Sequence, residues 1–142
     1  MALGIANALI QKYHVQPIYI STVNLLNEVK KTYNQGPKTS SQSLVEFFKE
    51  ARVLVFDDLG LEKTTDWSEE KITEILEERM NNKRPTIITS NIPVQELTNK
   101  YPAGRVESRL EKMTFPVTMA EESVRRLIAQ KENDKIAEMF FE

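Results

Sequence analysis

Apolar residues along the chain switch between a helical and an alternating period, and those switches predict its elements. Leu3, Ala6, Leu9, Ile10 and Tyr13 recur at helical spacing with no capping residue before them, so the chain is expected to begin inside a helix. Pro17 to Ile20 reads as a short β-branched and aromatic strand. Ser21-Thr22 then offers an N-cap for a helix whose apolar face is Leu25, Leu26, Val29 and Tyr33. A polar loop is expected from Asn34 to Ser43, then a brief helix with Leu44, Phe47 and Phe48 inward, then a second strand from Arg52 to Phe56. Asp66-Trp67-Ser68-Glu69 has the spacing of a capping box for a helix with the stripe Ile72, Ile75, Leu76 and Met80. Pro85 stops that helix before a third strand, Thr86 to Thr89.

Beyond Asn91 the pattern predicts one helical turn from Pro93 to Leu97 and a short charged helix from Ala103 to Lys112, with Val106 and Leu110 inward. A fourth strand is expected from Phe115 to Met119, then a helix from about Glu122 to Lys131. Asn133-Asp134 interrupts that helix or lets it continue weakly into Ile136, Met139, Phe140 and Phe141, for which core packing is expected. Strands alternating with helices at this spacing predict an α/β fold, a doubly wound and mainly parallel sheet. Ligands of such sheets sit at the carboxyl ends of the strands, where Asp57, Asp58 and Asn91 all fall.

Composition narrows the class. The 142 residues fit one domain, and the absence of cysteine excludes a disulfide framework and a thiolate zinc site. No apolar run approaches the roughly 20 residues of a membrane helix, and no membrane partner is expected. The N-terminus lacks the layout of a secretory signal. A net charge of −2 gives no global attraction to nucleic acid. Lys30, Lys31 and Lys38 with Tyr33 make a small basic patch that suits single-stranded bases, or simply a solvated helix end.

Candidate chemistry concentrates at two strand ends and two helices. Arg52-Val53-Leu54-Val55-Phe56-Asp57-Asp58-Leu59-Gly60 ends an apolar strand in two acids, as a Walker B element does: one acid for Mg²⁺, the other for the water attacking a phosphate. Adjacent strand side chains face opposite ways, which divides those roles; the same residues also suit a turn. Asn91 ends the next strand and could orient that water or touch the γ-phosphate. Arg105 and Arg109 lie four apart on one helix face, either as a guanidinium offered to a neighbouring subunit's phosphate or as a solvated face with Glu107 and Glu111. Arg125 could fold onto phosphates or pair with Glu121 or Glu122. His14 is expected at the surface. No G-x-x-x-x-G-K-[ST] phosphate loop occurs in these residues.

Taken in order, these elements resemble the AAA+ ATPases of the bacterial DnaC/DnaI helicase-loader and IstB transposition-helper group, over nearly the whole chain. The resemblance implies Asp57 at the Mg²⁺ position, Asp58 as catalytic base, Asn91 as sensor 1, Arg109 as arginine finger with Arg105 accessory, and Arg125 as the sensor 2 reader of nucleotide. It further implies ATP and Mg²⁺ as cofactors, a replicative helicase and single-stranded DNA as partners, homo-oligomers through Arg109, and a cytoplasmic location. A transposition helper, or a non-enzymatic module that joins an intact loader ring, are the alternatives. In this family Leu3 to Leu9 looks like the helix that follows the Walker A lysine. Residues 1–131 are therefore expected to be an ATPase core truncated just after that motif, with 132–142 as a tail. The chain is expected to bind nucleotide weakly and to lack a strand between the third and the fourth.

Overall fold

Ile18–Ser21 (β1), Leu54–Asp57 (β2) and Thr86–Ile88 (β3) are short and β-rich, and they pair as one parallel sheet in the order β1-β2-β3. The computed structural model describes residues 2–35, 38–117 and 121–141. Register places Leu54 opposite both Ile18 and Thr86, and Phe56 opposite both Ile20 and Ile88. Leu54, Val55 and Phe56 are fully buried, as a central parallel strand requires. The described residues form seven α-helices: α1 (Ala2–Tyr13), α2 (Thr22–Gln35), α3 (Lys38–Glu50), α4 (Asp66–Asn81), α5 (Leu97–Lys100), α6 (Arg105–Met113) and α7 (Glu121–Phe141).

The strand period of two sorts side chains between the faces. Ile18, Ile20, Leu54, Phe56 and Ile88 join the main core with Leu25 and Val29 of α2, Phe48 of α3, Ile75 and Leu76 of α4 and Leu110 of α6. Val55 and Ile87 pack on the opposite face. The β1-to-β2 crossover uses α2 and α3, and the β2-to-β3 crossover uses α4. Both return over one face because right-handed crossovers step the strands in a constant direction. The carboxyl ends of all three strands consequently share one edge.

At the opposite end, Arg79 locks α3, α4 and β3 together. Its side chain is fully buried; Nη1 donates to the carbonyls of Phe48 (2.9 Å), Lys49 (3.3 Å) and Ala51 (2.6 Å), Nη2 to Pro85 (2.7 Å), and Nε to Thr86 Oγ1 (2.9 Å). Three of those carbonyls lie at or just beyond the C-terminal end of α3, where the helix dipole favours a cation. Burial, and next the neighbouring Arg84, push Arg79 down to about 10, so it remains charged at neutral pH.

Several boundaries differ from the pattern-based expectation. The cap of α4 is Thr65: its Oγ1 accepts from Ser68 N–H (3.1 Å), and Ser68 Oγ accepts from Thr65 N–H (2.8 Å). The box lies one residue earlier than the Asp66–Glu69 spacing suggests, and Glu69 is buried. Helix α3 begins at Lys38 inside the expected loop, since 38–43 carries no breaker, and Phe47 is 51% exposed rather than inward. Residues 115–117 of the expected fourth strand form no strand, and Phe115 is 89% exposed; a segment that does not meet the sheet has no ladder to complete. Met119 lies outside the described residues.

Helix α7 runs unbroken through Asn133-Asp134. Ile136, Met139 and Phe140 are exposed instead of packed into the core, because every residue from 126 to 140 faces solvent. The side chain of Phe141 lies outside the described residues.

Candidate functional site

Apolar β2 ends in Asp57, and strand geometry brings two hydroxyls to it. Ser21 is the register partner of Asp57, so Tyr19, two residues earlier on β1, shares its face. The Tyr19 phenol donates to Asp57 Oδ2 at 2.5 Å. From the other side, Thr89, one residue beyond β3, donates its hydroxyl to Asp57 Oδ1. One acid is thereby held from both neighbouring strands. The hydrogen bond to Asp57, followed by desolvation and the charges of Asp57 and Asp58, pushes the Tyr19 phenol up to about 12.

Thr89 also organises the turn after β2. Its Oγ1 accepts the Asp58 N–H (3.0 Å), its N–H donates to Phe56 O (3.0 Å), and its carbonyl accepts Leu59 N–H (2.9 Å). Asp58 has φ of 55°, a left-handed conformation that Asp tolerates better than most residues. The expectation that Asp57 and Asp58 split by strand alternation is corrected accordingly. The strand stops at Asp57, and the turn sets the direction of Asp58. No hydrogen bond or ion pair within the described residues engages the Asp58 carboxylate. Gly60 follows with φ of 101°, and a Cβ there would lie 2.6 Å from Ile92 Cδ1.

That turn is anchored inward by a buried acid. Glu62 is 3% exposed; its Oε2 accepts Gly60 N–H (2.9 Å), its Oε1 accepts the Tyr101 hydroxyl, and its carbonyl accepts Lys100 Nζ (2.7 Å). Burial, with the bond to Glu62 next, pushes the Tyr101 phenol far above its ordinary range, so it stays a donor. Tyr101 O in turn accepts the N–H of Gly104, the residue before α6.

Asn91 is exposed just past the end of β3, which does lie beside β2. Ser90 Oγ ties that segment to the acid turn by donating to Leu59 O (2.6 Å). Arg105 is exposed at the start of α6. Arg109 is half-buried: Nη2 pairs with Glu77 of α4 at 3.2 Å and Nε is buried without a partner. Neither Glu107 nor Glu111 is its ion-pair partner, because α6 packs against α4 and turns Arg109 towards it. Arg125 lies on α7 with its side chain outside the described residues. In the basic patch, Lys31 pairs with Glu28 and Lys30 lies 5.3 Å from the Trp67 ring; the Tyr33 and Lys38 side chains are outside the described residues. His14 is exposed as expected.

A cavity of about 350 Å³ lined by His14, Gln16, Phe47 and Arg52 lies by the amino ends of β1 and β2, far from the acids. The acid end carries instead a row of oxygen groups: the carboxylates of Asp57 and Asp58 and the hydroxyls of Tyr19 and Thr89. Sequence reasoning missed Tyr19, Thr89 and Glu62 as parts of this site. Tyr19 and Thr89 had a signal, since each shares the strand parity of Asp57.

A parallel sheet whose middle strand delivers an acid pair beside a Thr-Ser-Asn segment is an arrangement of the AAA+ type. The chain belongs to the family of IstB-like ATP binding proteins, whose description matches residues 1–126. It is 30% identical over 103 residues to the replicative helicase loader DnaI of Bacillus subtilis (strain 168), covering 71% of this chain and 32% of that protein. Identity is 28% over 94 residues to the replicative helicase loader DnaC of Escherichia coli (strain K12), covering 66% of this chain and 37% of that one. A crystal structure of the DnaC helicase loader matches the fold with a TM-score of 0.63 at 28% identity, over 80% of this chain and 67% of the other. The chain spans about a third of the length of the curated relatives it matches.

Proposed function

We propose that the chain is the acid, sensor and arginine portion of a helicase-loader-like ATPase of DNA replication. Asp57 directs Mg²⁺, Asp58 activates the attacking water, and Asn91 reads the γ-phosphate. Arg125 and Arg105 contact phosphate, and Arg109 reaches the nucleotide of a neighbouring subunit. The observation that carries this reading is the Thr89 bridge, which joins the acid pair of β2 to the polar end of β3. Hard oxygen donors suit Mg²⁺, which takes one or two carboxylates and completes its shell with phosphate oxygens and water. Among the described residues no group of three acids or histidines would hold a metal, so phosphate oxygens and water would supply most of the shell of a cation at Asp57.

Arg109 exchanges Glu77 for phosphate when a second subunit docks. A guanidinium in that position is worth roughly 10³–10⁵ in turnover, so its partner matters more than its exposure. A replicative helicase and single-stranded DNA are the partners, in keeping with the DnaC and DnaI relatives. A transposition helper is the second reading, favoured by the IstB-like family match; a transposase gene beside this one would select it.

These residues contain no phosphate loop, and the chain alone binds nucleotide weakly. Titration with a fluorescent ATP analogue tests this: no saturation in the micromolar range is expected, and micromolar affinity would overturn it. Added to an intact loader, the chain changes ATP turnover, and Arg109→Ala removes that change. Unaltered turnover on mixing would remove the subunit role.

A further inference from the structure

We propose that Tyr19 is a positioning residue for the divalent cation at Asp57, clamping one carboxylate oxygen from β1 while Thr89 clamps the other from β3. The inference rests on the assignment of Asp57 to the cation. An ionised carboxylate has about four acceptor positions, and the two hydroxyls use one on each oxygen. Both oxygens therefore keep a lone pair for a metal, while rotation of the carboxylate is blocked from two sides. A strand-end acid without those donors would sample several rotamers and lose that freedom on binding a cation.

The two clamps are not equivalent. Thr89 Oγ1 accepts the Asp58 N–H, which turns its own proton towards Asp57 and builds the contact into the backbone of the turn. Tyr19 has no such backbone tie. Its side chain is 47% exposed, on the sheet face away from the main core, so ring burial does not account for a tyrosine there. Its hydroxyl has Asp57 as its hydrogen-bond partner, and the ring spans the diagonal from Tyr19 to Asp57 across the β1–β2 register. Hydrogen-bond partners of metal-ligating groups typically change metal affinity about 10- to 100-fold when removed, which sets the expected scale.

The test uses Mn²⁺ alone as the probe, on the whole chain, read by electron paramagnetic resonance of free Mn²⁺ and by paramagnetic broadening of amide resonances. Wild type is expected to broaden the Asp57, Asp58 and Thr89 amides first, and Asp57→Asn to abolish that broadening. Tyr19→Phe keeps the ring and the fold; it is expected to broaden the same amides at about tenfold higher Mn²⁺. A purely structural tyrosine would leave the Mn²⁺ affinity alone. Equal affinity in wild type and Tyr19→Phe, with binding still lost in Asp57→Asn, overturns the role of Tyr19 and leaves Asp57 in place. Mn²⁺ binding that survives Asp57→Asn overturns both assignments.

Discussion

Thr89 grips Asp57 across the boundary between β3 and β2, its hydroxyl donating to Oδ1 while its own oxygen accepts the amide of Asp58. One residue thus fixes the last acid of the strand and the first of the turn. Thr89→Val keeps the shape and removes both bonds, leaving a half-buried N–H and a carboxylate oxygen short of a partner. A loss of about 1–3 kcal/mol is expected by urea unfolding, with Thr89→Ser retaining most of the stability. Equal stability of the valine and serine variants would contradict the bridge.

Tyr19 gives a pH signature. Its phenol is held at about 12 against an ordinary 10.0, so the bond to Asp57 is intact below pH 10. The associated stability is lost as pH rises from 10 through about 12, because tyrosinate cannot donate and repels the carboxylate. With ring-labelled tyrosine, NMR titration is expected to place the Tyr19 midpoint near 12, and Asp57→Asn to bring it back towards 10. A midpoint unmoved by Asp57→Asn would refute the coupling.

Arg79 is expected to be the costliest polar substitution. Arg79→Met retains volume and leaves the carbonyls of Phe48 and Ala51 without their guanidinium donor, at about 3–5 kcal/mol. Arg79→Lys keeps the charge but not the planar fork, and recovers little of that loss. Denaturant midpoints of the two variants decide the point: a lysine as good as arginine would mean that charge alone matters.

Gly60 combines two constraints that a double-mutant cycle separates. Gly60→Ala meets Ile92 Cδ1 and also takes a φ of 101°, and is expected to cost about 1–3 kcal/mol. In an Ile92→Ala background the steric part disappears and the backbone part persists. A cost identical in both backgrounds would show that Ile92 yields without penalty.

Local pattern carried the strands, the helices and the acid pair, because each depends on neighbours within a few residues. The buried run Leu54-Val55-Phe56 before Asp57 demanded a central strand, and Val106 with Leu110 demanded an inward helix face. The cap of α4 slipped by one residue because Thr65 and Asp66 both cap well, and which one wins depends on how Ser68 and Glu69 bury. The fourth strand and the packing of α7 failed for a different reason. A β-rich run such as Phe115 to Met119 becomes a strand only where a sheet edge receives it, and apolar residues such as Ile136 and Phe140 become core only where a neighbour covers them.

By itself, then, the sequence determined the α/β order of elements and the placing of Asp57, Asp58 and Asn91 at or just beyond the carboxyl ends of strands, since period and turn chemistry are local properties. Only the tertiary structure decided what those acids touch. Tyr19 and Asp57 are 38 residues apart, Thr89 and Asp57 are 32 apart, and Arg109 lies 32 residues from Glu77. Contacts at such separations follow from strand register and from the packing of α6 on α4, which depend on the whole core closing at once.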